Sequence, residues 1–425
     1  MSVRLIFIRF FYTIMLSLLT PFLLLRLWFR SFKAPQYRQR IAERFGFFSA
    51  PENPGGLWVH AVSLGETVAA TPIIQQFKKQ FPDIPVTLTS MTLTGSNQVQ
   101  KTFGDSVFHV YFPYDLPGSV NRFLEKVRPQ MLVILETELW PNCLKACKNR
   151  NIPIILANAR LSPRSMTGYS KISTLTQGML NCITKVCAQS KKDGDRFLEL
   201  GLNAAQLEIV GNVKFDVKNN YQKVDEVLKF KEMWKDRPVW IAASTHKGEE
   251  EQVLDAFDII LKQMPTALLL LVPRHPERFP AVLELVQQRG FSVVTRSSDA
   301  PCTNNTQVFL GDTMGELGLF YQVANVAFVG GSLVPIGGHN SLEPAMCKIP
   351  AIVGPHTHNF VEITQLLSES GALKKISNTV ELASTVLHWL QSSKDCLDAG
   401  AEGLKIVEQN RGAVEKILKT MGYYF

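Results

Sequence analysis

The string HAVSLGE, residues 60–66, follows a short apolar run and precedes a segment with helical character. A carboxylate held at the end of a buried strand can act as a general base. Ser63 and Glu66 also fit the S-x-x-E capping box, in which the glutamate only closes the first turn of a helix. The spacing alone leaves both roles open for Glu66. We expect the helix N-terminus to lower the pKa of Glu66, which predicts an ionised but weakly basic carboxylate.

Three apolar runs in the second half of the chain lead directly into polar residues. The strings are LLLLVPRHPERF, VFLGDTMGELG and FVGGSLVPIGGHNSLEPA. The residues that they place behind the predicted strands are Pro273, Arg274, His275, Met314, Gly315, Glu316, Gly337, Gly338, Asn340 and Glu343. Parallel sheets bind their ligands at the carboxyl ends of the strands, so these positions predict a ligand site.

The glycine-rich string favours a phosphate. It precedes a predicted helix that begins near Asn340, and such a loop offers free backbone N–H groups and a positive helix end to an anion. Glu343, one turn into this helix, suits the hydroxyls of a ribose. A tight turn capped by Asn340, with Glu343 completing a capping box, is the structural alternative.

The signatures of other nucleotide and metal sites are missing from the sequence. No GxGxxG opens a helix and no GxxxxGK[ST] occurs, which argues against NAD and against a P-loop. The string DGD at Asp193–Asp195 imitates a metal motif, but its position at the start of a helix favours N-capping. Cys143 and Cys147 share a helix face without matching histidines. We therefore expect no metal and no cofactor.

Composition restricts the partners. A formal charge of +8 and a pI near 9.0 favour anionic partners, namely nucleic acid, an acidic membrane surface or a phosphorylated substrate. No nucleic-acid-binding motif occurs, so a basic nucleic-acid binder is the weakest of these interpretations. Hydrophobic residues make up 46% of the chain and charged residues 19%, which excludes a disordered class.

The N-terminal segment is typical of a membrane anchor. Residues 5–25 are long and apolar enough to cross a bilayer, which takes ~20 residues. The arginines and lysine that follow alternate with aromatic residues, which predicts a cytoplasmic body held against the anionic inner leaflet. Arg9 inside the apolar segment leaves a helix lying in the membrane interface as an alternative to a spanning one. We take 1–30 as the anchor.

Behind the anchor, short Val-, Ile- and Leu-rich runs alternate with amphipathic segments. This alternation predicts α/β units with doubly wound parallel sheets. At 425 residues the chain exceeds the usual size of one core. We expect two Rossmann-like domains, at 31–216 and 238–408, with a linker at 217–237, and we expect ligands at the carboxyl ends of their strands.

Eight strings, in this order, resemble one known family. They are HAVSLGE, ETELWPN, NARLS, GNVKFD, STHKGEE, LVPRHPERF, GDTMGELG and GGSLVPIGGHNSLEPA. They are similar to the lipid A Kdo transferases, the membrane-bound 3-deoxy-D-manno-octulosonic acid transferases of Gram-negative bacteria. The resemblance covers nearly the whole chain. It implies the GT-B glycosyltransferase fold and a C-terminal helix, 409–425, that packs back on the N-terminal domain.

The resemblance also implies a reaction and its residues. Kdo would pass from CMP-Kdo to a tetraacylated, bisphosphorylated lipid A precursor at the bacterial inner membrane, without a metal and with inversion. Glu66 would be the general base, and Glu136 and Lys214 would stabilise the transition state. The three strand-end groups of the second half would bind CMP, with Ser244 and Thr245 as neighbours. Arg160 and Arg164 would meet acceptor phosphates or the Kdo carboxylate, or simply be solvated.

Two other functions stay open. One is a GT-B transferase that uses another nucleotide sugar and a lipid-linked acceptor. The other is a membrane-tethered nucleotide-binding protein without turnover. The number of Kdo units added and the oligomeric state do not follow from the sequence.

Overall fold

The computed structural model describes residues 3–32, 34–216, 224–235 and 237–425. They divide into two compact units, Met1–Val217 with Asn410–Phe425 and Lys218–Gln409. Each unit is built on a parallel sheet of seven strands with helices on both faces. The predicted fold class, two doubly wound α/β units, is therefore confirmed.

The first unit begins with a long helix and continues as an alternation of strands and helices. In chain order these elements are α1 (Val3–Ser31), β1 (Leu57–His60), α2 (Leu64–Gln80), β2 (Val86–Ser90), α3 (Leu93–Phe103), β3 (Phe108–Tyr111), α4 (Pro117–Val127), β4 (Met131–Leu135), α5 (Pro141–Asn149), β5 (Ile154–Ala159), α6 (Pro163–Ser170), α7 (Ser173–Leu180), β6 (Lys185–Ala188), α8 (Lys191–Glu199) and β7 (Leu207–Ile209). The strand order is β3-β2-β1-β4-β5-β6-β7.

The central strand β1 shows why this sheet forms. Leu57 and Val59 enter the apolar core on one face of the sheet, whereas Trp58 enters the core on the other face. Side chains alternate in this way along any strand. Because both faces are covered, the strand is apolar without interruption, as buried parallel strands are. Leu57 pairs with Val86 of β2 and with Met131 of β4, which places β1 and β4 side by side.

The second unit repeats the plan. Its elements are α9 (Val224–Trp234), β8 (Val239–Thr245), α10 (Glu250–Gln263), β9 (Leu268–Pro273), α11 (Phe279–Gln288), β10 (Val293–Thr295), β11 (Val308–Leu310), α12 (Leu317–Tyr321), β12 (Val326–Val329), α13 (Leu342–Met346), β13 (Ala351–Val353), α14 (Val361–Glu369), β14 (Leu373–Lys375), α15 (Thr379–Gln391) and α16 (Ser393–Gln409). The strand order is β10-β11-β9-β8-β12-β13-β14.

The interval 217–237, predicted as a linker, is largely a helix of the second unit. Residues 217–223 and 236 lie outside the described residues. Within α9, Val227, Phe230 and Trp234 are buried in the core of that unit. The linker prediction is therefore wrong for Val224–Trp234. The polar residues of α9 occupy the solvent side of an amphipathic helix. In the sequence this pattern resembles a linker, because it contains no apolar run that would predict a strand.

The last helix, α17 (Ala413–Gly422), belongs to the first unit. Ala413, Ile417 and Met421 are fully buried in its core. Asp216 fixes the start of this helix, because its carboxylate oxygens accept from the N–H groups of Gly412 and Val414, at 2.6 Å each.

We expect Asp216→Ala to destabilise the first unit by about 1 kcal/mol, the usual effect of losing a carboxylate at a helix N-terminus. Denaturant unfolding measures the change. Asp195→Ala is the control, because Asp195 is half exposed and only pairs with Lys191 on its own helix. Equal stability of the two variants would contradict the capping role of Asp216.

Helix α1 has the length and composition of a membrane span, and only 6% of its most apolar window is buried. One of its faces nevertheless contacts the α/β body of the first unit. The Tyr12 hydroxyl donates to Asp115 at 3.1 Å, and the Asn142 amide donates to the Thr13 hydroxyl at 3.0 Å. Leu5 and Ile8 pack against the core. The N-terminal half of the helix is therefore bound to the α/β body.

Candidate functional site

Glu66 lies in the first turn of α2, directly behind the carboxyl end of β1. Its side chain is buried, with 7% of its surface exposed. The Val62 N–H donates to Oε2 and the Ser63 hydroxyl donates to Oε1, both at 2.8 Å, while the Glu66 N–H donates to Ser63 Oγ at 3.4 Å. The predicted capping interaction exists. The same contacts hold the carboxylate in one orientation.

The expected fall in the pKa of Glu66 is wrong. Burial raises its pKa to about 6, and the negative charge of Glu136 adds to the rise, against the hydrogen bonds from Val62 and Ser63. Loss of solvation therefore outweighs the helix N-terminus. A carboxylate with this pKa is a better proton acceptor than an ordinary glutamate and is still ionised at neutral pH.

Glu136 and Glu138 follow β4, the neighbour of β1, so they lie on the same edge of the sheet as Glu66. Glu136 has a φ of 57°, a left-handed conformation that is uncommon for a residue with a side chain. Burial raises the pKa of Glu138 to about 7, helped by the charges of Glu66 and Glu136. The three carboxylates form an acidic cluster.

Glu138 is the member of this cluster that the sequence analysis did not identify. Its signal was present, because the string ETEL places two glutamates two residues apart behind one strand. Burial and the charge of Glu138 raise the pKa of the nearby Tyr169 hydroxyl to about 12, so this tyrosine stays protonated.

Lys214 occupies a 3₁₀ turn, Val213–Asp216, that comes after β7. The backbone returns here to the end of β5, because the Val213 N–H donates to Asn158 Oδ1 at 3.1 Å. Asn212 Oδ1 accepts from the Lys214 N–H at 3.0 Å. Since β5 adjoins β4, Lys214 lies on the same carboxyl edge as the acidic cluster.

In the second unit, the first part of the glycine-rich loop, Gly331–Leu333, does not offer free N–H groups. The carboxylate of Glu249, which is completely buried, accepts from the N–H groups of Gly331, Ser332 and Leu333 at 2.7–3.0 Å. It also accepts from the His246 N–H at 2.9 Å. An internal carboxylate therefore takes the N–H groups of this part of the loop, so the phosphate prediction is wrong for Gly331–Leu333 and stays a prediction for Gly337, Gly338 and Asn340.

The second half of the loop turns on glycines. Gly337 and Gly338 have φ values of 108° and 78°, and both donate to the Gly331 carbonyl. A side chain at Gly337 would come within 2.5 Å of Asn359 and His358. The helix that follows is α13, which begins at Leu342, close to the predicted start near Asn340, and has five residues.

Asn340 and Glu343 adjoin each other in the next turn. Asn340 Oδ1 accepts from the Leu342 N–H at 3.2 Å, and the Asn340 amide is 3.4 Å from Glu343 Oε1. Burial raises the pKa of Glu343, and the Asn340 amide and Arg274 oppose this rise. Glu343 therefore lies close enough to Arg274 for the charge of the arginine to affect its pKa. The residues predicted behind β9 and those predicted behind β12 are thus neighbours in the structure.

Pro273 ends β9, and Arg274 and His275 follow it as exposed residues. Two further histidines lie beside them. His246 Nε2 and His339 Nε2 are 2.8 Å apart, and the ring centre of His275 is 5.2 Å from that of His246. Burial lowers the pKa of His339 to about 4, so one neutral imidazole donates to the other.

His246 and His339 are not among the predicted site residues. Both stand in the quoted strings, but nothing in their spacing indicates that STHKGEE and GGHNS meet. The contact arises because β8 and β12 are neighbours in the sheet.

The remaining predicted group, Met314–Glu316, contains both exposed residues and a residue held by an ion pair. Met314 is 58% exposed and Gly315 has a φ of 84°. The Glu316 carboxylate is held by Arg296, whose Nε and Nη2 donate to it at 3.1 Å each. Arg296 also pairs with Glu226 of α9 at 3.1 Å. Met314 and Gly315 are open to a ligand, whereas Glu316 anchors their loop.

Within the described residues, no three His, Cys, Asp or Glu side chains are grouped so that they could hold a metal ion. Asp193 of the DGD string is used structurally, since it accepts from the Leu161 N–H at 2.9 Å and from the Ser190 hydroxyl. Cys143 and Cys147 are buried thiols in α5.

Two doubly wound parallel units, each with charged residues behind its strand ends, define the GT-B class of glycosyltransferase architecture. Solved proteins share this fold. A UDP-GlcNAc 2-epimerase from Neisseria meningitidis bound to UDP-GlcNAc matches with a TM-score of 0.57 and 13% identity, over 86% of this chain and 99% of that one.

Sequence comparison narrows the class to one family. A family model described as 3-Deoxy-D-manno-octulosonic-acid transferase (kdotransferase) matches residues 39–217. A 3-deoxy-D-manno-octulosonic acid transferase from Haemophilus influenzae is 44% identical over 421 residues, which are 98% of each chain. One from Bordetella pertussis is 34% identical over 395 residues, or 89% of each chain. The chain belongs to the 3-deoxy-D-manno-octulosonic acid transferase family and is a glycosyltransferase.

Proposed function

We propose that the protein transfers Kdo from CMP-Kdo to a tetraacylated, bisphosphorylated lipid A precursor. Family membership supports the transferred sugar. The observation that carries the mechanism is Glu66, a buried carboxylate with a pKa of about 6, fixed by Val62 and Ser63 at the carboxyl edge of the first sheet. A net charge of +8 suits a phosphorylated acceptor and an anionic membrane.

The proposed reaction is one in-line displacement. Glu66 takes the proton of the acceptor hydroxyl, the oxygen bonds to the anomeric carbon of Kdo, and the bond to the phosphate of CMP breaks with inversion. Lys214 supplies a positive charge for the departing phosphate or for the Kdo carboxylate. Glu136 favours the positive charge that develops on the sugar. No metal is needed, because CMP leaves as a monophosphate.

Donor binding belongs to the second unit. Arg274 and His275, the His246–His339 pair and the exposed Met314–Gly315 turn are the groups available to CMP. Asn340 and Glu343 are placed for the ribose. Glu249 already accepts from the N–H groups of Gly331–Leu333, so we assign the contacts with the donor phosphate to Arg274 and the imidazole side chains.

We place the protein on the cytoplasmic face of the bacterial inner membrane, attached through α1. Tyr12 and Thr13, in the N-terminal half of this helix, are hydrogen-bonded to the α/β body. A helix bound in this way lies along the membrane interface with its apolar outer face in the lipid.

The test is a transfer assay read by mass spectrometry. Purified full-length protein is incubated with freshly generated CMP-Kdo and the tetraacylated precursor. A product heavier by one or more Kdo units supports the proposal, and its mass counts the sugars. Transfer from a UDP-sugar but not from CMP-Kdo would establish the other transferase. CMP binding without any transfer would establish a nucleotide-binding protein.

We expect kcat/KM to depend on pH with a midpoint near 6. Glu66 accepts a proton only when it is ionised, and its raised pKa leaves it protonated below about 6. Activity therefore rises with pH through 6 and then levels off. In Glu136→Gln the midpoint moves to lower pH, because a neighbouring negative charge is removed. A pH–rate series on both proteins measures the two midpoints. If the midpoint is the same in Glu136→Gln as in the wild type, the group that titrates is not Glu66.

A further inference from the structure

A cavity of about 500 Å³ lies between α1 and the body of the first unit. We call it the α1 groove. Its lining residues are Leu16, Leu23, Arg26, Leu27, Arg30, Tyr37, Arg44, Met91, Thr92, Thr94, Phe112, Pro113, Tyr114, Asp115 and Trp140. This volume is within the range of ligand-binding pockets.

The walls of the groove are apolar on both sides. Leu16, Leu23 and Leu27 come from α1 at the spacing of one helix face, and Met91 and Phe112 come from the body. A hydrocarbon chain packed between these apolar side chains would be removed from water. The groove therefore fits a hydrocarbon chain.

The charged lining residues indicate which kind of headgroup is attached to the hydrocarbon chain. Arg26 and Arg30 are exposed beside the groove, and Arg44 is buried, donating to the Met91 carbonyl at 2.9 Å. Asp115 is the one acidic lining residue. It accepts from Tyr12, Asn142 and Cys143, and burial raises its pKa to about 7. The lining is thus net cationic, which favours an amphiphile with an anionic head.

The groove adjoins the carboxylate that we propose as the base. The N–H groups of Met91 and Thr92 both donate to the Val62 carbonyl, at 3.1 and 3.2 Å, and the Val62 N–H donates to Glu66. On the other side, Trp140 stands two residues after Glu138. A lipid whose chain occupies the groove would hold its headgroup near the acidic cluster.

The helix that forms one wall is also open to lipid on its other side. Its exposed apolar residues recur at helical spacing: Val3, Ile6, Phe7, Phe10, Phe11, Ile14, Met15, Leu18, Leu19, Phe22, Leu25, Trp28 and Phe29. One helix thus presents an apolar face to a bilayer and another to the groove.

We propose that the α1 groove binds one acyl chain of the phosphorylated acceptor lipid, with its arginines facing the phosphate. This inference rests on the proposed function, and it assigns acceptor selection to the wall formed by α1. Acylated acceptors are then bound through the groove, whereas the phosphorylated disaccharide without chains is bound through its sugar and phosphate contacts alone.

The experiment fills the groove from each wall separately. Leu23→Trp adds an indole from α1, and Thr94→Trp adds one from the first turn of α3. Gln100→Trp is the matched control, because Gln100 is exposed on α3 and does not line the groove. KM is measured for the acylated precursor and for its deacylated counterpart, with the full-length protein and CMP-Kdo.

We expect both groove variants to raise KM for the acylated precursor at least about tenfold, the effect of displacing roughly two methylene groups. Their KM for the deacylated compound stays at the wild-type value, and Gln100→Trp matches the wild type with both acceptors. Equal losses on both acceptors, or none, would overturn the inference. If one variant fails to fold, the other still decides the question.

A second readout is independent of transfer. A precursor with a photoreactive diazirine on one chain is crosslinked to the protein, and the labelled peptides are identified. We expect labelling on α1 and on residues 91–94, lost in both groove variants and kept in Gln100→Trp. Labelling elsewhere together with active transfer would overturn the groove and leave the proposed function intact. Labelling of the groove without transfer would overturn the proposed function alone. Equal displacement of the label by phosphatidylglycerol would assign the groove to membrane phospholipid and overturn our choice of occupant.

Discussion

Glu66→Gln is expected to lose transfer by roughly 10²–10⁴-fold in kcat while the protein stays folded. The amide keeps the shape of the side chain, and its oxygen can still accept from the Val62 N–H. What it loses is the ability to take a proton from the acceptor hydroxyl. Steady-state kinetics with CMP-Kdo and the acylated precursor, beside a thermal melt, measure both properties.

Asp193→Asn is the matched control for Glu66→Gln. Ser190 and Asp193 open α8 with the same pair of serine–carboxylate contacts that Ser63 and Glu66 make at α2, and Asp193 is also 7% exposed. Both substitutions weaken a helix start in the first unit to a similar degree. Only Glu66→Gln should affect turnover. Similar losses of turnover in both variants would mean that Glu66 acts only as a capping residue.

Glu249→Gln is expected to destabilise the second unit by about 3 kcal/mol or more. Each oxygen of the Glu249 carboxylate accepts from two backbone N–H groups. The amide nitrogen of glutamine would face two of these donors, which then have no partner in a buried site, at roughly 1–3 kcal/mol each. For a unit of this size the melting temperature would fall by roughly 6–12 °C.

Calorimetry of Glu249→Gln beside Glu284→Gln measures this effect. Glu284 is exposed on α11, where substitutions change stability by about 0.5 kcal/mol at most. A melting temperature for Glu249→Gln equal to that of the control would mean that an external anion, rather than Glu249, satisfies the loop.

The sequence predicted the central strands of both sheets because they are buried on both faces. The apolar run LLLLVP can form little else between polar turns, and it is β9. The edge strands β7, β10 and β14 were not predicted, since they have three residues each and are only partly buried. Short edge strands lack the continuous apolar run on which the prediction depended.

The candidate site was predictable where its residues stand a few positions behind fully buried strands. Glu66 and Arg274 are examples. The role of Glu249 as the acceptor for the loop N–H groups was not predictable. Nothing in the string STHKGEE indicates that this glutamate contacts a loop more than eighty residues later. The pKa of Glu66 was predicted in the wrong direction for a related reason. The sequence shows the helix start that lowers it, whereas burial, which outweighs it, depends on the folded chain.

Single-turnover kinetics test the central claim most directly. Enzyme in excess is mixed with the acylated precursor and then with CMP-Kdo, and the formation of the Kdo product is followed by mass spectrometry at pH 5.5 and 7.5. We predict fast transfer by the wild type at pH 7.5, slower transfer at pH 5.5, and a rate for Glu66→Gln that is at least about 100-fold lower and equal at both values. A single-turnover rate for Glu66→Gln equal to that of the wild type, with the same dependence on pH, would contradict the assignment of Glu66 as the base.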